Sequence, residues 1–272
     1  MINRKAGFFS IISSVKVNLY LIKGLVVRDI SSRYRGSAIG FLWSFITPVL
    51  MLAVYTFVFS TVFKARWPGG SASKAEFALI LFAGLMVFNV IAECLSRSPG
   101  IIVGNANYVK KVVFPLEVLP VVILLSALFN LMTSLIVWTF FCVLFIGLPP
   151  ATIFLLPAVV APLILISLGC AWFLASLGTY LRDVGQVIGV FITMLMFLSP
   201  IFYPLDALPE QFRKIISISP VSYTVEQARM VMVWGKIPDL KWWLAWLAIG
   251  FIIAWSGFAW FQKTRKGFAD VL

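Results

Sequence analysis

The sequence predicts an all-α integral membrane protein with six transmembrane helices. Composition is the first sign: 61% of the 272 residues are hydrophobic, 12% are charged, and the mean hydropathy is +1.02. A soluble domain carries about 25% charged residues, so the solvent around most of this chain must be lipid. The second sign is a series of apolar runs reaching the ~20 residues that a helix needs to cross a hydrocarbon core of ~30 Å. The third is punctuation, because turn residues and charges fall between those runs.

In chain order, residues 38–63 form the first span and residues 77–96 the second, with Glu93 near one end. Residues 118–181 carry no charge and are too long for one crossing; Gly147-Leu148-Pro149-Pro150 divides them into spans over 118–146 and 151–180. Spans over 184–205 and 242–262 complete the set. An even count puts both termini on one side. With the termini inside, the basic residues number seven in 1–36, three in 97–115, Arg182, and three in 263–266, fourteen against eight outside. Cytoplasmic loops carry the excess of Lys and Arg, so both termini are expected to be cytoplasmic.

Residues 1–36 form a separate cytoplasmic unit, a helix followed by an inlet loop, and residues 37–272 form the transmembrane domain. Phe8, Ile12, Val15, Leu19, Ile22 and Val26 recur at three- and four-residue steps, with Lys16, Lys23, Ser13 and Asn18 beside them. That pattern predicts an amphipathic helix lying in the head-group plane, with Val17, Leu21 and Leu25 on its polar side. Lys16 and Lys23 interrupt the apolar run and no small-x-small cleavage site follows, so the segment is expected to be retained.

The segment 206–241 is an outer gate region between spans 5 and 6. Pro209-Glu210-Gln211 opens one short helix, and Ser219-Pro220 supplies a cap and first-turn proline for a second, running to about Val233. Val221, Val225, Ala228 and Met232 make its apolar stripe. Two short re-entrant or capping helices fit this pattern, since irregular backbone at membrane depth must be buried in protein or line a wet cavity.

Several function classes are disfavoured. A net charge of +12 in a soluble protein points to nucleic acid, but these basic residues lie between apolar spans, where head groups and topology account for them. Cys94, Cys142 and Cys170 sit in apolar stretches without C-x-x-C spacing, and there is no histidine. A metal site or disulfide framework is therefore not expected, and the cysteines read as small packing residues. The sequence has no G-x-x-x-x-G-K-[ST] loop and no paired carboxylates or nucleophile–base set. No catalysis and no cofactor are expected in this chain, and any ATP hydrolysis must come from elsewhere.

Four stretches resemble a known family. They are Ser32-Arg33-Tyr34-Arg35-Gly36-Ser37-Ala38-Ile39-Gly40-Phe41-Leu42-Trp43 with Pro48; Lys110-Lys111-Val112-Val113-Phe114-Pro115-Leu116-Glu117-Val118-Leu119-Pro120; Tyr180-Leu181-Arg182-Asp183-Val184; and Ser199-Pro200-Ile201-Phe202-Tyr203-Pro204 followed by Ser219-Pro220 and Glu226 to Arg229. In this order they resemble type-2 ATP-binding-cassette (ABC) exporter permeases for polysaccharides. The resemblance implies a homodimer in the bacterial inner membrane with two separate ATPase subunits, which carry the ATP and magnesium. It implies outward movement of an undecaprenyl-diphosphate-linked glycan, O-antigen first, with capsule and teichoic-acid export as alternatives.

Within that frame, Arg28, Arg33 and Arg35 are candidates to bind the lipid diphosphate, since guanidinium groups take anionic oxygens bidentately. Tyr34 between them can stack on the first sugar; ordinary anchoring to anionic lipid is the alternative reading. Phe41, Phe45, Tyr55, Phe59 and Phe63 fall near one face of the first span and are candidate channel aromatics, with lipid-facing packing as the alternative. Asn107, Tyr108, Lys110 and Lys111 are candidates for docking the ATPase subunit, against simple positive-inside anchoring for the two lysines. Tyr203, Phe212 and Tyr223 are candidates for the outer gate. Trp242, Trp243 and Trp246 read as an interfacial belt. Glu93, costly in hydrocarbon, should face a partner, water or the interface, and Arg182-Asp183 should pair locally.

Two rival classes remain. A secondary transporter calls for several intramembrane ionisable groups and repeated halves. A polyprenol-phosphate enzyme calls for clustered aspartates, whereas Asp29, Asp183, Asp206, Asp239 and Asp270 are isolated in the sequence.

Overall fold

A computed structural model of the chain describes residues 8–62, 67, 73–110 and 114–272. Phe63 and Lys111 lie outside these, and so does the side chain of Lys110. The described residues are helical with no strand. Among the described residues, five helical stretches are long and apolar enough to cross a membrane: Gly40–Phe59, Ala75–Arg97, Val118–Phe145, Ala151–Tyr180 and Leu240–Val271.

The chain opens with α1 (Phe8–Val17) and α2 (Leu19–Tyr34). Asn18 separates them, its side chain donating to the Ser14 carbonyl at 2.7 Å. This break resets the helix face. Ile22 and Leu25 are buried against Leu116, Leu119 and Phe261, whereas Leu19 is 62% exposed. The expected face therefore needs correcting, with Leu25 turned inward and Leu19 outward. The inlet loop is corrected too, since Arg28, Arg33 and Tyr34 are helical and only Arg35 lies beyond the last turn.

The first span begins with a 3-10 turn at Gly40–Leu42, continues as α3 (Trp43–Tyr55) around Pro48, and ends in a π-helical turn at Thr56–Val62. The second, α4 (Lys74–Arg97), is the centre of the molecule. Leu79, Ile80, Leu81, Ala83 and Val87 are each at most 1% exposed; a helix apolar all round belongs inside a bundle. Short α5 (Ala106–Lys110) leads to α6 (Val118–Phe145), α7 (Leu156–Tyr180) and α8 (Val184–Leu198).

Helix α8 is shorter than the run 184–205 that was expected to span. Its 15 residues rise only about 22 Å. The reason is local: Pro200 disfavours helical geometry at the preceding residue, and Ser199 is extended at φ −92°, ψ 149°. The expected ion pair between Arg182 and Asp183 is not among those formed by the described residues, and both side chains are exposed.

Next come α9 (Glu210–Ser217) and α10 (Pro220–Met232), then α11 (Leu240–Thr264) and α12 (Phe268–Val271). Both short helices stand where the proline signals placed them, with Pro220 in the first turn, although the Ser219 hydroxyl makes no capping bond. Val221, Val225, Ala228 and Met232 are all at most 2% exposed, packed where α10 meets α4 and α7.

Helices α7 and α11 pack along their length because glycines let their backbones touch. A Cβ on Gly257 would lie 2.1 Å from the Gly169 carbonyl oxygen, and one on Gly169 2.4 Å from that of Ile253. Tryptophans fasten this crossing and others by donating from Nε1. Trp138 reaches the Leu79 carbonyl at 2.9 Å, Trp172 the Glu117 carbonyl at 2.9 Å, and Trp243 the Ala158 carbonyl at 2.8 Å. Buried indoles need such an acceptor.

Candidate functional site

A polar cleft of about 450 Å³ opens between α3, α4 and α6. Ser44, Thr47 and Tyr55 line it from α3, Asn89 and Glu93 from α4, and Asn130 and Ser134 from α6, with Arg33 and Tyr34 of α2 at one end. Such a density of polar groups inside three apolar helices marks a wet or ligand-bearing space, because hydrocarbon would leave them unpaired.

The Arg33 end is held by four charged side chains. Arg33 donates to Glu93 and, at 3.1 Å, to Asp29. Arg97 donates to Asp29 at 2.6 Å and to Glu93 at 2.9 Å. Asn130 adds a donor to the second Glu93 oxygen at 2.7 Å. Burial alone would raise the Asp29 carboxyl, but the hydrogen bond and charge of Arg97, with Arg33, hold it below the usual carboxylate range. Burial alone would lower the Arg33 guanidinium, but Glu93 and Asp29 hold it above its usual value. Two cations thus face two anions, and α2 is fastened to the end of α4.

The sequence candidates distribute unevenly around this cleft. Arg33, Tyr34 and Tyr55 line it. Phe41 and Phe45 continue from Tyr34 as an edge-to-face series, with centroids 6.2 Å and then 5.9 Å apart, and Phe129 joins Phe41 at 5.7 Å. Phe59 instead stacks on Phe202 at 5.2 Å, against the turn that ends α8. Arg28 is directed elsewhere, donating to the Tyr108 hydroxyl at 2.7 Å, and Tyr108 stacks on Phe114 at 4.3 Å. Arg35 and Asn107 are exposed. The three gate candidates are on separate elements. Tyr203 donates to the Phe197 carbonyl at 3.0 Å, Phe212 on α9 is 50% exposed, and Tyr223 donates to the Asp239 carbonyl at 3.3 Å. Burial and the Asp239 charge push the Tyr223 phenol up to about 12.

Two charged residues were given no role by sequence reasoning. Arg229 is fully buried, donating to the carbonyls of Ile80 at 3.1 Å, Pro200 at 2.5 Å and Ile201 at 2.7 Å, and to Glu226 at 2.8 Å. The Trp67 ring covers it at 4.4 Å, and Gly84 leaves its room, since a Cβ there would lie 2.7 Å from Nη2. Its signal in the sequence is an arginine inside the stripe of Val225, Ala228 and Met232. Glu117 accepts from Ser14 at 3.1 Å and Arg265 at 2.8 Å, joining α1, α6 and the end of α11. Its signal is a carboxylate directly before the longest apolar run. Among the described residues no group of His, Cys, Asp or Glu is arranged to hold a metal ion.

A family model for ABC-2 type transporters matches residues 20–233, from α2 through α10. The chain belongs to the ABC-2 type transporter family. Similar proteins include the O-antigen export system permease protein RfbA of Myxococcus xanthus, 25% identical over 93% of this chain and 96% of that protein. The protein of the same name from Klebsiella pneumoniae is 28% identical over 95% of this chain and 98% of its own length. The polysialic acid transport protein KpsM of Escherichia coli is 26% identical over 84% of this chain and 86% of its length. As an ABC-2 transporter chain this is a multi-pass membrane protein, and its polar cleft and both unexpected charged residues fall within the matched segment.

Proposed function

We propose that this chain is the permease half of an ATP-driven exporter that moves an undecaprenyl-diphosphate-linked polysaccharide, O-antigen first, across the bacterial inner membrane. The observation that carries the reading is the polar cleft, with Arg33 and Tyr34 at one end and Tyr55 in its wall, set among the apolar spans of an ABC-2 chain. The relatives named for O-antigen export align over nearly their whole length, which favours that substrate. The KpsM match makes capsule export the second reading.

In this reading α8 is a short fifth crossing, the chain crosses six times, and both termini are cytoplasmic. Helices α9 and α10 stand on the outer side, where Tyr203, Phe212 and Tyr223 surround the exit. Arg33 and Arg35 receive the lipid diphosphate, with Arg28 turned to Tyr108; Tyr34 receives the first sugar, and Phe41, Phe45, Tyr55 and Phe59 flank the path. Two copies pair through the first span and α8, whose Leu50, Val54 and Phe57 and Val187, Val190 and Phe191 are exposed apolar residues. Two ATPase subunits holding ATP and magnesium dock below, at α5 with Asn107, Tyr108, Lys110 and Lys111.

The test is complementation of an export-deficient strain. Arg33→Ala with Arg35→Ala should insert and dimerise normally yet lose most surface polysaccharide. Normal surface polysaccharide with that double variant rejects the inlet role.

A further inference from the structure

We propose that Arg33 and Arg97 together form an exchange site for a diphosphate, closed in this structure by Asp29 and Glu93. The inference deepens the inlet reading above and rests on it. It adds Arg97 of α4 as the second ligand and makes the two carboxylates occupants that the substrate displaces.

The argument begins with charge. As arranged, the four side chains are neutral together, so an anion approaching Arg33 meets no unbalanced cation. Each phosphate of a diphosphate diester keeps one ionised oxygen at neutral pH. A diphosphate therefore brings to the two arginines the same two negative charges that the carboxylates now supply. The geometry matches as well. Both guanidiniums touch both carboxylates, so their donors converge on one space, and planar donor forks suit adjacent anionic oxygens.

The displaced carboxylates have somewhere to go. Asn130 already donates to the Glu93 oxygen opposite the one shared by the arginines. Beside Asp29 lies Ser126, fully buried, with its hydroxyl directed to that carboxylate. Displacement also replaces the direct ion pairs between α2 and α4 with a bridge through the diphosphate, because Asp29 and Arg33 on α2 are bound here to Glu93 and Arg97 on α4.

The experiment uses the full chain in phosphatidylcholine nanodiscs titrated with a farnesyl-diphosphate-linked monosaccharide, which is a diphosphate diester, with the farnesyl-monophosphate-linked monosaccharide as the comparison. Removing a competing carboxylate should help the anion. Glu93→Gln is expected to tighten diphosphate binding about fivefold, the scale of one partly exposed ion pair, with a smaller gain for the monophosphate. Asp29→Asn should act in the same direction and serves if Glu93→Gln folds poorly. Arg97→Ala should weaken binding at least as much as Arg33→Ala. Unchanged or weaker binding by both carboxylate variants, with their thermal unfolding intact, overturns the exchange. Export is scored separately: tightened binding in Glu93→Gln beside normal export by Arg33→Ala/Arg35→Ala keeps the site and removes its transport role. Flat binding with lost export does the reverse.

Discussion

Arg229 shows what a single buried charge demands. Three backbone carbonyls and one carboxylate spend their hydrogen bonds on its guanidinium. Arg229→Leu fills similar space but strands those acceptors, and breaking a buried pair this way costs about 3 kcal/mol or more. The expected result is a clear fall in the thermal unfolding midpoint of the detergent-purified chain; an unchanged midpoint would mean that α10 is held by its apolar stripe alone. Glycine offers a paired test. Gly257→Val drives a side chain into the Gly169 backbone and should abolish the folded protein, whereas Gly189→Ala on α8 meets nothing within 4 Å. The second change should be neutral or stabilising by up to about 1 kcal/mol. Both glycines sit mid-helix, and composition alone does not distinguish them. Only the partner helix does, which is why neither the close crossing nor the Arg229 clamp was legible beforehand. Glu93 was half legible: its cost in hydrocarbon required a partner, but Arg33, 60 residues away, is near it only in the fold.

Helix signals carried much of the element scale. Runs of apolar residues and paired prolines located α4, α6, α7, α10 and α11 closely, since these depend on local chemistry. Errors arose where one residue redirects the chain. Asn18 turned the N-terminal face so that Leu25 replaced Leu19, and Pro200 ended α8 early. The docking of α2 is therefore a test of its corrected face. Ile22→Ala removes a side chain 1% exposed and should cost about 2–4 kcal/mol of packing. Limited trypsin digestion should then cut faster at Arg28, Arg33 and Arg35, while Leu19→Ala leaves the rate unchanged. Equal rates for both would restore the face first expected.

For the whole molecule, composition placed the chain in lipid and motif order gave the family, because both are properties of the sequence itself. The count of crossings is less direct, since α8 is short and its ends rest on the turn at Ser199. Single cysteines introduced into a cysteine-free background at Ser73, Asp239 and Lys266 map the sides. Impermeant maleimide added outside intact spheroplasts should label positions 73 and 239 and leave 266 unlabelled. Labelling at 266 would invert or break the six-crossing arrangement. The central claim is that these helices form a conduit whose work comes from another subunit. Reconstitution in proteoliposomes, with a lipid-linked polysaccharide on the face bearing the termini, tests it most directly. Uphill movement should require both the ATP-binding subunit and ATP, and vanish when either is withheld; uphill movement by this chain alone would contradict the account.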